Sequence, residues 1–162
     1  MRGRFVSSLA SMLFLAAPDI GSAQSARELV GTWELVSSVN TARDGTKSDV
    51  FGPNPKGILM FDNDGRFAQV FTRPELPKFA SGDRLQGTPD ENRAIVQGSI
   101  AMFGTYSISD KVLMLYVQSG TWPGWIGTDQ KRPLTSYTGD EMSWTQQEEA
   151  GATTLTTLRR LD

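Results

Sequence analysis

The spacing of short β-type runs constrains the fold more than any other feature of this sequence. Eight runs are rich in Val, Ile, Thr and aromatic residues, and turn signals of Gly, Asp, Asn or Pro separate them. Many short strands joined by tight turns are typical of a β-sandwich or a β-barrel. The predicted strands cover residues 29–39, 57–61, 66–72, 101–109, 111–119, 133–138, 141–147 and 153–161.

The stretch LMFDNDGRFAQVF joins two of these runs, and it either binds a cation or turns the chain. Two acids and an Asn at 62–64 precede Gly65. A calcium loop needs oxygen ligands at positions 1, 3 and 5 and Gly at position 6. Counted from Asp62, positions 5 and 6 are Arg66 and Phe67, so the spacing fails. Because Gly adopts positive φ without steric cost, Asp-Gly between apolar runs predicts a hairpin, with its acidic tip in water.

One segment interrupts the β pattern. Thr88 and Glu91 have the spacing of a capping box, in which Thr88 is the N-cap and Pro89 the first helical residue. We therefore predict a short helix over 89–97. The preceding residues 73–87 are rich in Pro, Gly and charge, and they predict a loop. A long loop with one helix inserted in a β-protein often lies across an opening.

The first 23 residues have the pattern of a secretory signal peptide. Two arginines are followed by an apolar run at 5–17 and by small residues at 21–23. A membrane anchor or a buried first helix is the alternative, but the run is shorter than the about 20 residues of a spanning helix. We predict cleavage near Ala23, a single barrel domain over 24–162 and a periplasmic or secreted protein. No stable membrane insertion is expected after cleavage.

Composition limits the chemistry that this chain performs. The absence of Cys and His removes Ser-His-Asp and Cys-His nucleophiles and the usual zinc and copper ligands. Loss of Arg2, Arg4 and Asp19 with the leader takes Lys+Arg from 16 to 14 and Asp+Glu from 18 to 17, a net charge of −3. A mildly acidic chain suits nucleic acid poorly, because phosphates require a basic face. We expect no metal, no cofactor and no nucleic-acid partner, and the oligomeric state has no sequence signal.

Five motifs in order resemble the bacterial and fungal lipocalin-like domain proteins. The resemblance spans about 29–161 and implies an antiparallel closed β-barrel of about eight strands with an internal cavity, but no particular reaction. The sequence departs from relatives by lacking a His in the strand 112–119 and by having Leu158 where Trp is usual. The motifs are LVGTWELVS at 29–37, FGPNPKGIL at 51–59 running into FDNDGRF, FGTY at 103–106, GTWPGWIG at 120–127 followed by Gln130 and Arg132, and LRR at 158–160.

Gly31-Thr32-Trp33 has the Gly-x-Trp form of the first lipocalin strand. The resemblance implies that Trp33 plugs the closed end of the barrel and that Arg159 or Arg160 packs over it. A cation over an indole face contributes about 0.5–2 kcal/mol. We therefore expect Trp33 to have a structural role rather than to contact a ligand.

Aromatic, Met and polar side chains on the strands and in the GTWPGWIG loop are the candidate ligand residues. The two tryptophans of that loop either cap the core or face a ligand. The Tyr hydroxyls either join a polar group of the cavity or satisfy a nearby backbone group. Arg132 is the candidate anchor for a carboxylate through a bidentate pair, with a surface pair to Asp129 or Asp140 as the alternative. The complete predicted ligand set is Met60, Phe67, Phe71, Tyr106, Tyr116, Gln118, Trp122, Trp125 and Arg132.

Three functions compete. The first is an exported barrel that binds a small, largely apolar or amphipathic molecule. The second is a metal-free enzyme of the cyclase, isomerase or hydratase type, with Tyr106 or Tyr116 as the acid, Glu34 or a nearby Asp as the base and Arg132 holding an anion. The third is a structural envelope protein with a filled barrel. No residue is assigned as catalytic, and an open cavity is the feature that separates the first two functions from the third.

Overall fold

Nine strands and two α-helices make up the computed structural model, which describes residues 26–161. The predicted signal peptide and its cleavage position lie outside these residues. The elements are α1 Ala26–Leu29, β1 Gly31–Thr41, β2 Lys47–Asp49, β3 Lys56–Phe61, β4 Arg66–Thr72, α2 Pro89–Gly98, β5 Ser99–Ser109, β6 Val112–Gly120, β7 Asp129–Tyr137, β8 Glu141–Gln147 and β9 Thr153–Leu161.

The strands form one antiparallel sheet that closes on itself. Strand β1 pairs with β3 along one edge and with β9 along the other, so β1 and β3 to β9 form an eight-stranded barrel. This confirms the predicted fold. The extra strand β2 pairs with the end of β1, and its sequence, Lys-Ser-Asp, has no β-type pattern that reveals it.

Alternation along the strands separates the core from the outer wall. In β4, Phe67, Gln69 and Phe71 are buried, whereas the intervening Ala68 and Val70 are exposed. Every strand of the barrel contributes such an inward set, as period-2 geometry requires. The fully buried side chains that fill the closed half include Trp33, Leu59, Leu113, Leu115, Met142 and Leu158.

The stretch LMFDNDGRFAQVF is a hairpin between β3 and β4, as predicted. Asp62 Oδ1 accepts hydrogen bonds from the N–H of Asp64 at 2.9 Å and of Arg66 at 2.7 Å. Gly65 has a φ of +77°, a conformation that Gly adopts without steric cost. The acids therefore organise the turn through their oxygens, and they are exposed at its tip.

Helix α2 begins at the predicted capping box. The N–H of Glu91 donates to Thr88 Oγ1, and the Glu91 carboxylate accepts from the N–H of Thr88 at 2.7 Å. The same carboxylate accepts from the N–H of Ala80, and these two backbone bonds hold the pKa of Glu91 below its usual range. The longest described helix is α2, with 10 residues, and none of the described helices has the length and apolarity of a membrane span.

Candidate functional site

One end of the barrel is closed around Trp33. This side chain is fully buried, and its Nε1 donates to the carbonyl of Leu29 at 2.8 Å. The guanidinium carbon of Arg160 lies 4.2 Å from the centre of the indole ring. Of the two arginines that the resemblance offered, Arg160 covers Trp33, and Arg159 pairs with Glu34 on the outer wall.

Arg160 and Tyr106 tie the segment that precedes β1 to this closed end. Arg160 donates to the carbonyl oxygens of Glu28, Val30 and Gly139 at 2.5, 2.8 and 2.7 Å. The Tyr106 hydroxyl lies 3.2 Å from the carbonyl oxygen of Ala26 and 3.0 Å from that of Asp62. Each side chain joins segments that are distant in sequence at the end of the barrel that Trp33 fills.

The opposite half of the barrel contains a cavity of about 180 Å³. The loop after β2 and the short turn Pro123–Trp125 after β6 border it. Helix α2 precedes β5 at the same end of the barrel, but no α2 residue lines the cavity. The apolar lining is mostly aromatic, and its larger side chains are Phe51, Phe71, Ile100, Met102, Trp125 and Trp144.

Arg132 projects into this cavity from β7 and is only 3% exposed. One Nη1–H donates to the Lys131 carbonyl at 3.0 Å, and the guanidinium carbon lies 5.4 Å from the Trp125 ring centre. Among the described residues, Arg132 forms no salt bridge. Burial lowers the pKa of Arg132 to about 10, and the negative charge of Glu148 opposes that shift. The side chain is therefore a buried cation at neutral pH.

Two kinds of neutral polar group share the cavity wall with Arg132. The hydroxyls of Ser38 and Thr156 lie 3.1 Å apart and satisfy each other. Gln69 differs, because the residue is 5% exposed and its side-chain amide forms no hydrogen bond within residues 26–161. None of the described side-chain polar atoms is both fully buried and unpaired, so the Gln69 amide is open to the cavity that the residue lines. Gln69 and the remaining donors of Arg132 therefore mark the polar side of the cavity.

A cleft of about 570 Å³ separates β7 from β8 beside Arg132. The register of β7 with β8 begins only at Leu134, so residues 129–133 are not paired with β8. Pro133 explains where the pairing stops. The N–H of Leu134 points towards β6, because it donates to the carbonyl of Lys111. The backbone nitrogen of the preceding residue, Pro133, therefore points towards β8. Proline has no N–H hydrogen, so it donates no hydrogen bond to that strand. Arg132 and Gln146 line both the cavity and this cleft.

Three of the nine predicted ligand residues, Phe71, Trp125 and Arg132, line the cavity. Arg132 is inside the barrel, not in a surface pair with Asp129 or Asp140. The side chains of Phe67 and Tyr106 are buried in the core of the closed half, where Tyr106 satisfies backbone groups. Four other predicted residues lie outside the cavity with exposed side chains, namely Met60, Tyr116, Gln118 and Trp122.

Two of these four exposed residues, Met60 and Gln118, line a groove on the outer wall of the barrel. It has a volume of about 680 Å³ and is bordered by Met60, Phe67, Phe103 and Gln118. The groove lies on the outside of the sheet, whereas the inner cavity is lined by the buried cation of Arg132 and by the side-chain amide of Gln69. We therefore take the inner cavity as the candidate site, and a ligand role for the outer residues remains a prediction.

The predicted ligand set leaves out several residues of the cavity, among them Phe51, Gln69, Met102, Trp144 and Glu148. For Trp144 a signal was present, because Met142 and Trp144 alternate with polar residues in the run EMSWTQQ. Gln69 alternates between Phe67 and Phe71 and was readable in the same way. Phe51 and Glu148 are in connecting segments, where no periodicity indicates the direction of a side chain.

The residues of the enzyme hypothesis are not brought together by the fold. Glu34 pairs with Arg159 at 2.7 Å on the outer wall. Tyr106 is at the closed end, and Tyr116 is 44% exposed on the outside of β6. Only Arg132 of that set faces the cavity, and the carboxylate that shares the cavity with it is Glu148.

These features define a closed antiparallel barrel with a plugged end and an internal cavity. The family model for the lipocalin-like domain matches residues 30–160, and the chain belongs to this family. No curated protein matches the chain.

Several solved structures of engineered barrels are similar to the chain. A redesigned beta barrel is 14% identical, with a TM-score of 0.44, and the match covers 87% of this chain and 98% of that one. The redesigned beta barrel mFAP1, bound to DFHBI, is 19% identical, with a TM-score of 0.39 and coverages of 84% and 98%. A fluorescence-activating beta barrel designed de novo is 12% identical, with a TM-score of 0.40 and coverages of 84% and 96%.

Proposed function

We propose that this protein is an exported lipocalin-like barrel that binds one small, largely apolar molecule in its cavity. The observation that carries the proposal is the internal cavity beside Phe71, Trp125 and Trp144, in a barrel whose other end is plugged by Trp33. An apolar wall with a few convergent polar groups is the usual form of a small-molecule site. A filled barrel, as the structural-protein hypothesis requires, would have no such space.

The cavity volume limits the size of the ligand. Pockets for drug-sized molecules are about 300–1,000 Å³, whereas this cavity is about 180 Å³. A cavity of about 150 Å³ is sufficient for benzene. The part of a ligand that lies inside this cavity therefore has one ring or a short branched chain.

Calorimetric titration with neutral single-ring compounds, benzyl alcohol and benzamide, tests whether the cavity binds ligands. The matched variants are Ile100→Trp, which fills the cavity, and Val70→Trp, which adds the same side chain to the exposed wall. We expect Ile100→Trp to abolish binding and Val70→Trp to retain it, with both variants folded by circular dichroism. Equal binding by the two variants would place the ligand elsewhere.

Native mass spectrometry of protein purified from the periplasm or the medium tests the natural ligand. A bound molecule of one-ring size supports the proposal. Ligand-free protein that also binds none of a library of small apolar compounds contradicts it.

The proposal of export is supported by the leader pattern at residues 1–23. The test is to fuse this segment to alkaline phosphatase, which is active only after export, and to determine the N-terminus of the secreted product. We expect phosphatase activity and a mature chain that begins at Gln24. An unprocessed, inactive fusion would contradict export.

A further inference from the structure

We infer that the ligand is a small monocarboxylate with one ring, whose carboxylate pairs with Arg132 while the ring packs among the aromatic side chains of the cavity. The inference rests on the proposed function, because it assigns a chemical class to the molecule in that same site.

The first step is the charge at the centre of the cavity. The ionisable side chains that line it are Arg132 and Glu148. Arg132 is 3% exposed and forms no salt bridge among the described residues. The half-buried Glu148 raises the pKa of Arg132, but burial lowers it by more, so the burial of the cation is only partly compensated. A partly compensated buried charge costs folding free energy. An anionic ligand offsets that cost, and a neutral ligand does not.

The second step is the geometry of the donors. A guanidinium has five N–H donors in a planar fork, and one of those of Arg132 is used by the Lys131 carbonyl. Carboxylates match the fork with two parallel hydrogen bonds. Gln69 lines the same cavity, and its side-chain amide, which forms no hydrogen bond within the described residues, offers a further donor.

The third step concerns the ligand itself, which should carry a single negative charge and an apolar ring. Glu148 already places one negative charge beside the cavity, so a second charge on the ligand would be repelled and would be costly to desolvate. Trp125, Trp144 and Phe71 provide flat apolar surfaces, which favour a ring. A single-ring monocarboxylate such as benzoate satisfies both conditions.

The test is calorimetric titration of the mature protein with sodium benzoate and with benzamide, its neutral analogue of nearly equal shape. We expect benzoate to bind at least about tenfold more tightly than benzamide, since charge-assisted bonds are about twice as strong as neutral ones. Arg132→Met should remove this difference. Glu148→Gln should tighten benzoate binding and leave benzamide binding unchanged, because it removes a negative charge that repels the carboxylate and competes with it for Arg132.

Lys131→Met is the matched control, because it deletes the same charge from the adjacent, exposed residue of β7. It should leave both affinities unchanged. Arg132→Met should also remain folded by circular dichroism. A folded Arg132→Met variant that still binds benzoate more tightly than benzamide would contradict the inference.

The remaining outcomes distinguish failure of the monocarboxylate inference from failure of the proposed small-molecule binding. Equal affinities for benzoate and benzamide, or weaker benzoate binding by Glu148→Gln, would overturn the monocarboxylate while the binding barrel remains. Failure of benzoate, benzamide and benzyl alcohol alike to bind would overturn the proposed function and the inference together.

Discussion

At the scale of single residues, the same side-chain types have different roles at the two ends of the barrel. Arg160 lies over Trp33 and donates to three backbone carbonyls, so its hydrogen bonds are used by the fold. Arg132 lies near Trp125 and donates to one carbonyl. The first arginine is therefore a structural clamp, and the second is the candidate ligand anchor.

Trp33→Ala should lower the stability of the barrel substantially. The side chain is fully buried and its Nε1 donates to Leu29, and truncation of a buried Trp to Ala typically costs about 3–5 kcal/mol. Trp33→Phe is the control, since it keeps an aromatic ring and should cost less. Chemical denaturation measures both, and an unchanged unfolding free energy for Trp33→Ala would refute the role of Trp33 as the plug.

Tyr106→Phe should change the response of the protein to alkaline pH. Burial raises the pKa of the Tyr106 phenol above 10.0, and the charge of Asp62 adds to the shift. Because the fold favours the neutral phenol, this stability is present below pH 10 and is lost as the pH rises through the folded-state pKa. Phe does not ionise, so the variant should lose about 1 kcal/mol at neutral pH with its hydrogen bonds but decline less steeply above pH 10. Urea denaturation at pH 7 to 11 measures this, and parallel curves would contradict it.

At the scale of elements, the turns and helix caps are predictable from neighbouring residues in the sequence, whereas the register between paired strands is not. The hairpin at Gly65 and the capping box at Thr88 were readable because the residues that form them are adjacent in sequence. The register shift of β5 against β6 beside Gly104 was not readable. This register shift depends on how the backbones of β5 and β6 pack against each other.

Gly104→Ala should disrupt the pairing of β5 with β6. An added Cβ would collide with the carbonyl oxygen of Tyr116, which is part of the backbone and cannot move aside as a side chain can. Overpacking of this kind costs about 1–3 kcal/mol or more. Ser107→Ala, at an exposed position of the same strand, is the control and should be nearly neutral. Equal melting temperatures for the two variants would show that the strands relax around the methyl group.

Thr88→Ala should loosen α2 without destabilising the barrel. Loss of an N-cap costs a helix about 1 kcal/mol, but the only buried residue of α2 is Gly98, so little barrel packing depends on it. We expect faster proteolysis within residues 73–98 and an unchanged melting temperature, with Thr105→Ala on exposed wall as the control. A parallel fall in the melting temperature would show that α2 and the barrel unfold as one unit.

At the scale of the whole molecule, closure of the barrel creates one plugged end and one end with a cavity. The pairing of β1 with β9 joins the first and last strands of the domain and places Arg160 over Trp33. The same closure encloses Arg132, whose neighbours in the cavity come from β1, β4, β5, β8 and β9 and from the segments that connect strands. No local stretch of sequence contains this site.

The strands other than β2, the hairpin turn at Gly65, the capping box at Thr88 and the plug were determined by sequence. Each depends on contacts within a few residues or, for Trp33 and the paired arginines, on the resemblance to a family. The signal-peptide pattern and the absence of Cys and His also follow from sequence, and they limit the compartment and the chemistry that are proposed for the protein.

Which face of each strand points inward was decided by the tertiary structure. In β6, both Leu115 and its neighbour Met114 are apolar, so alternation gave no direction, and Tyr116 proved to face outward. Bulges beside Phe103 and Leu134 shift the register of neighbouring strands by a residue, which reverses the inward set. The burial of Arg132 likewise depends on the closure of the whole barrel, because only the assembled strands exclude water from its guanidinium.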